Sequence, residues 1–386
     1  MKSIASTRLA GLDTLRSIAI VSVIIFHLQY TMPNSLQDSF GRLGWTGVDL
    51  FFVLSGFLIG SLLLKPGATG KKLKIGEFYL RRAYRILPAY LVVVALYLFV
   101  PVWREHPIVA PAWKLLSFTY NLTMRYPQEL AFSHSWSLCI EEHFYLLLPL
   151  IILWLMRRPS ARMAIALFLF VLIFGIAIRG WTLFHVVRPA DDDHAWILFM
   201  KYIYYPTYTR LDGLLCGVAL AAIKLFRPGI WARIERRGWT TLALGVLVLV
   251  AGFWTFRFGY PSSDDAPGIL LGFPVVSMGF ALLVASAVAS NGPLRLRMPG
   301  AEAVATLAFS LYLTHKGVAH VAQRMIPWLQ DNAGWSAAGV TLLACVAFAA
   351  LLYFVVERSF LALRDRHLRP RVAETVDLEA RVDPAI

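Results

Sequence analysis

The stretch "LRSIAIVSVIIFHLQY", residues 15–30, decides how the rest of the chain is read. It places Arg16 near its start and His27 near its end, with an almost wholly apolar run between them. At 3.6 residues per turn, eleven steps fall within about 20° of three full turns. The two side chains therefore share one helix face, about 16 Å apart along the axis. That is about half the hydrocarbon thickness of a bilayer. Ionisable groups at such depth are costly and face a protein interior or a wet cavity. The plainer alternative is an arginine that snorkels to the surface and a histidine that bonds a neighbouring helix.

The rest of the chain repeats the pattern. Of its 386 residues 58% are hydrophobic and only 16% are charged, far from the composition of soluble domains. Apolar runs of spanning length recur near residues 14–32, 45–64, 88–104, 137–156 and 163–184. Others follow near 206–226, 239–257, 268–290, 303–325 and 336–356. The expected fold is an all-α integral membrane protein, with about ten transmembrane helices in one bundle. The first run lacks a small-residue cleavage site, so no cleavable signal peptide is expected. Cys139, Cys216 and Cys345 all fall in predicted spans and suggest neither a disulfide framework nor a metal site.

A formal net charge of +14 raises the question of nucleic acid. Its distribution answers no. With the N-terminus inside, inner segments hold about 25 Lys and Arg and outer ones about 9. The inner clusters run from Lys65 to Arg85, Arg157 to Arg162, Lys224 to Arg237, Arg295 with Arg297, and onward from Arg358. Ten spans then put both termini in the cytoplasm, with the chain in a bacterial-type inner membrane. The organisation expected is one membrane domain over residues 1–360 and a short charged tail over 361–386. The outer loop near 105–135, with Trp113, Tyr120 and Tyr126, suits the interface. The loop 186–196 carries an acidic triplet beside His194 and reads as solvated rather than metal-binding. There is no G-x-S-x-G elbow, no phosphate loop and no H-E-x-x-H, so an ATP-driven pump or zinc protease is unsupported.

Polar groups gather in a few places. Asp49, in "GWTGVDLFFVLSGFLIG" (residues 44–60), comes to a depth similar to that of His27, where it could fix the imidazole tautomer. The glycines and Ser55 of that segment could equally serve close helix packing alone. "FYLRRAYRILPAY" (residues 78–90) sets Arg81, Arg82 and Arg85 at the inner surface, where guanidinium forks suit phosphates or lipid headgroups. Glu141 and Glu142 enter the first turns of a span, where a capping role is the alternative. Arg210 and Asp212 enter the sixth span, His315 and Lys316 the ninth.

Together these residues resemble the membrane acyltransferase-3 family. The resemblance rests on the R-x10-H spacing of Arg16 and His27 and on G-V-D-L-F-F-V-L-S-G-F-L-I from Gly47 to Ile59. It extends to R-x-x-R at Arg82 and Arg85, W-S-L-x-x-E at Trp136 to Glu141, and R-x-D at Arg210 to Asp212. Y-L-x-H at Tyr312 to His315 and the closing "VVERSF" from Val355 complete it, over roughly residues 9–365. Some members continue into a large extracytoplasmic esterase-like domain; this sequence is more similar to the stand-alone members.

The resemblance implies an O-acyltransferase that moves an acyl group, with acetyl the expected case, from acyl-CoA to a hydroxyl of a glycan, glycolipid or glycosylated small molecule. Acyl-CoA is then a co-substrate, and no permanently bound cofactor or metal is expected. The partners expected are the lipid bilayer, the acyl-CoA donor and a carbohydrate-containing acceptor. In this reading Arg16, Arg81, Arg82 and Arg85 hold the CoA phosphates. His27 is the base or a transient acyl carrier, oriented by Asp49 or Glu141. Glu142, Arg210, Asp212 and His315 form the acceptor side, with Arg210 also a candidate donor to the thioester oxyanion. A proton-coupled transporter of a sugar or anionic metabolite is the other class that intramembrane charge allows, but the sequence lacks the inverted repeats expected of one.

Overall fold

A computed structural model describes residues 10–28, 41–295 and 298–368. The expected end of the first span at residue 32, Arg297 and the tail from 369 lie outside the described residues. Within them the regular structure is helical, apart from one isolated bridge between Val109 and Ala131. The long helices are α1 (Ala10–His27), α2 (Gly47–Ala68), α3 (Ile75–Phe99), α4 (Trp136–Arg157) and α5 (Ala161–Thr182). After them come α6 (Asp212–Phe226), α7 (Gly238–Thr255), α8 (Phe273–Val288), α9 (Ala301–Met325) and α10 (Trp335–Leu352).

Each expected apolar run carries one of these helices, but they are not all alike. Among the described residues eight helical segments are long and apolar enough to cross a membrane, or nine if one bent pair is a single span. That pair is α6 and the helix Pro228–Arg236, which meet at 105°. The break follows from Pro228, which has no N–H to continue the ladder and starts a new helix. Helix α9 is long enough at 25 residues but carries Glu302, His315, Lys316, His320 and Arg324, which lower its hydropathy. His27 is the last residue of α1, nearer the helix end than the sequence pattern suggests.

Helix α2 is the centre of the bundle. Its most apolar stretch is 67% buried, against 6% for α5 at the periphery. Its closest neighbour is α6, and small residues make that approach possible. A Cβ on Gly56 would lie 2.2 Å from the Leu214 carbonyl oxygen, and one on Gly217 2.3 Å from that of Val53. Backbone thus meets backbone, which is how glycine favours helix association in lipid. The packing role of the α2 glycines is borne out, while Ser55 has a second task, a hydrogen bond with the Tyr145 hydroxyl.

Buried charge ties the helices further. Arg179 of α5 is fully buried and grips both carboxylate oxygens of Asp212 on α6, at 2.7 and 3.1 Å. Arg210, also buried, bonds Asp49 of α2 at 2.9 Å and lies 3.9 Å over the Phe273 ring. Helix α10 runs on through a π turn, Tyr353–Glu357, which turns Glu357 inward to meet Arg85 of α3 and Ser310 of α9.

The segment between α3 and α4 is a folded cap. A buried Lys114–Glu129 ion pair at 2.8 Å holds it, while Arg104 donates to the Tyr97 and Leu98 carbonyls at the end of α3. Of its aromatics Trp113 is exposed, as an interfacial residue would be, but Tyr120 is buried. Gly317 of α9 leaves the room in which the Trp103 ring sits. The 186–196 segment is less loop-like than expected: Asp191 accepts the His194 N–H at 3.0 Å and caps the helix Asp192–Phe199. Among the described residues no cluster of three His, Cys, Asp or Glu side chains is placed to hold a metal ion.

Candidate active site

Three histidines from distant parts of the chain meet at the end of α1. His27 Nδ1 lies 3.0 Å from the Val23 carbonyl oxygen and 3.2 Å from Nε2 of His315. His134 packs 4.8 Å from the His315 ring, centroid to centroid, and its Nε2 lies 3.2 Å from the Leu313 carbonyl oxygen. His27 and His134 open on a cavity of about 70 Å³, room for several waters or one small polar group. Its walls are aromatic: Trp45, Trp136, Tyr204, Tyr205, Tyr260 and Tyr312.

Ser133 completes the polar lining. Its Oγ accepts from Lys316 Nζ at 2.7 Å, and Lys316 is anchored by Glu105 at 2.9 Å. A hydroxyl whose oxygen accepts from an ammonium keeps its own proton to donate. The cavity therefore combines the His27 imidazole with one polarised hydroxyl donor.

A second polar group lies further along α4. Glu141 lies beside the hydrogen-bonded hydroxyls of Ser55 and Tyr145 and within electrostatic reach of Arg82 and Arg16, the latter 3.7 Å from Asp13 on its own helix. The Arg82 guanidinium lies 4.3 Å over the Tyr145 ring, and it also acts on Glu142. Trp136 and Tyr145 are nine residues apart on α4, about 14 Å along its axis. The cavity and the Arg82 cluster thus lie about 14 Å apart along one helix, close to the Arg16–His27 separation of about 16 Å on α1.

The expected partners are rearranged. Asp49 does not orient His27, because Arg210 takes its carboxylate. The reason is rotation: Val48 lines the cavity, and the next residue points about 100° away, towards α6. Glu141 lies beside Ser55 and Tyr145, and His27 has His315 instead. Arg210 is committed to Asp49 and Asp212 to Arg179, so the R-x-D motif braces the bundle. Of the three clustered arginines, Arg81 bonds Glu77 at 2.6 Å and Arg85 bonds Glu357. His315 faces His27 rather than the cavity.

Sequence reasoning missed His134, Ser133, Lys316 and Glu105 as site residues. His134 and Ser133 lie in the "SHSW" run before α4, and Lys316 adjoins His315, so three had a signal. Glu105 had none, because its partner is 211 positions away in the chain.

A family model described as an acyltransferase domain matches residues 9–354. The chain belongs to this acyltransferase family. The O-acetyltransferase OatA of Staphylococcus aureus (strain NCTC 8325 / PS 47) is 33% identical over 228 residues, 56% of this chain and 34% of the relative. The OatA of strain COL matches to the same extent. The chain spans about a third of the length of these relatives. No solved structure matches it significantly. For a membrane acyltransferase, the cavity that joins the His27 imidazole to a hydroxyl donor is the candidate reaction centre.

Proposed function

We propose that this chain is a multi-pass O-acyltransferase of the cytoplasmic (inner) membrane. It moves an acyl group, acetyl in the simplest case, from acyl-CoA to a hydroxyl of a glycan, glycolipid or glycosylated small molecule. The observation that carries this reading is the His27–His315 pair at the wall of an aromatic cavity. Room for one small polar group suits the reacting hydroxyl of a sugar, and the aromatic walls suit the apolar C–H face beside that hydroxyl.

The chemistry needs no permanently bound group. His27 removes the proton of the acceptor hydroxyl as its oxygen attacks the thioester carbonyl. The C–S bond then breaks, the acyl group stays on the acceptor oxygen, and the CoA thiolate leaves with the proton from the imidazolium. Ser133, polarised by Lys316, donates to the oxyanion of the tetrahedral intermediate. Arg82 and Arg16 supply positive charge for the donor's phosphates, about one pantetheine arm away along α1 and α4.

The arginine cluster gives the first test. Arg82→Ala should raise the Michaelis constant for acetyl-CoA roughly 10- to 100-fold, the worth of one charge-assisted contact. Arg81→Ala should change it little. Arg85→Ala should instead lower the yield of folded protein, because it leaves Glu357 buried beside α9 without its cation. Assays with labelled acetyl-CoA on purified protein in lipid nanodiscs read all three. An unchanged Michaelis constant in Arg82→Ala returns that residue to lipid anchoring, and a wild-type protein that binds but never turns over acyl-CoA favours transport or binding.

Topology follows from charge. With both termini in the cytoplasm, residues 65–87 face inward and 186–196 outward. Ala68 and Asp192 are exposed, whereas the native cysteines are buried or half-buried. Ala68→Cys should resist, and Asp192→Cys should accept, an impermeant thiol reagent applied to intact cells. Labelling of both, or of position 68 alone, contradicts this orientation.

A further inference from the structure

We infer that His315 is a positioning residue for the base: it accepts the Nδ1–H of His27 and so holds that imidazole with its Nε2 bare. The inference rests on the proposed function, and it is built from which neighbours can only accept. His315 is fully buried, and its Nδ1 lies 3.1 Å from the Leu311 and 2.9 Å from the Tyr312 carbonyl oxygens. Carbonyl oxygens donate nothing, so Nδ1 of His315 carries the proton. A neutral imidazole has one N–H, which leaves Nε2 of His315 as an acceptor. That nitrogen sits 3.2 Å from Nδ1 of His27, whose other neighbour is the Val23 carbonyl oxygen at 3.0 Å.

Both neighbours of His27 Nδ1 are therefore acceptors, and the proton of His27 belongs there, shared between them. The remaining nitrogen, Nε2, is the one with a lone pair for chemistry. Turning the His315 ring over would put carbons where both nitrogens now sit and forfeit its contacts at either end. Protonating His315 on Nε2 would make it donate to His27, leaving the Val23 oxygen opposite a lone pair. Only the neutral arrangement satisfies every neighbour. The fixing of one imidazole by a partner on its far nitrogen is the general device by which a histidine base is held in a useful tautomer.

The third histidine has another place in the cluster. Its Nε2 donates to Leu313, while its Nδ1 is buried with no partner among the described residues. His134 neither accepts from His27 nor donates to it, so the positioning task falls to His315.

Protein carrying 15N-histidine, reconstituted in nanodiscs, tests this directly, with the His27 signals identified by their loss in His27→Gln. Wild type should show Nδ1 protonated and Nε2 bare. His315→Leu should abolish that preference and lower kcat roughly 10²–10⁴-fold, the range of a misplaced general base, with the Michaelis constant for acetyl-CoA unchanged. His315→Gln, whose amide oxygen can replace the Nε2 acceptor, should restore the tautomer and bring kcat to within about ten-fold of wild type. Three results would overturn the inference: an Nε2-protonated His27 in wild type, an unchanged tautomer in His315→Leu, or a folded His315→Gln as inactive as His315→Leu. A wild-type protein that transfers no acetyl group sinks the proposed function instead, while the nitrogen signals still decide the tautomer.

Discussion

A His27→Ala protein should insert and fold, keep its affinity for acetyl-CoA, and lose acyl transfer roughly 10²–10⁴-fold, the contribution expected of a general base. The split follows from place. His27 ends α1 and is half-buried at the cavity, so its loss removes its contact with His315 but no buried ion pair. The charge that would bind the donor lies at Arg82 and Arg16, about 14–16 Å away along α4 and α1. Arg16→Ala should accordingly show the reverse emphasis, a weaker donor affinity with part of the turnover kept. Calorimetric binding of CoA, alongside transfer from labelled acetyl-CoA, separates the two variants. Near wild-type transfer by a stably inserted His27→Ala protein would reduce His27 to packing.

The largest loss of stability is expected at Arg179. Its guanidinium is wholly buried between α5 and α6, where it satisfies Asp212 and the Thr209 carbonyl at once. Arg179→Ala leaves a buried carboxylate without its cation, which costs about 3–5 kcal/mol. Thermal unfolding in detergent should show a much lower midpoint or no folded protein. Arg179→Met combined with Asp212→Leu should recover much of the loss, since apolar replacement of both partners leaves no uncompensated charge. If Arg179→Ala unfolds at the wild-type midpoint, the pair is not a brace. The same logic makes Asp49 and Arg210 structural first: their pairing holds α2 on α6, and α2 carries one wall of the cavity.

Hydropathy alone determined where the helices lie. A segment in lipid must satisfy its backbone internally and present apolar side chains outward, so spanning helices announce themselves residue by residue. The expected runs accordingly fall on α1 to α10, and the motif residues fall on those helices at legible depths. Two runs depart from full spanning character for local reasons: α6 stops at 15 residues before Pro228, and α9 carries the polar residues of the site. Azimuth was another matter. Depth follows from counting along one helix, but a partner depends on how neighbouring helices are rotated, and each residue turns the direction by about 100°. Asp49 and His27 were close in depth and still face different helices. Arg85 found Glu357, 272 positions on, and His27 found His315, 288 positions on, because α1, α3, α9 and α10 are packed that way. The residues that could do chemistry were visible in the chain; which of them touch was decided by helix packing, where close glycine contacts and buried ion pairs set the rotation of each helix.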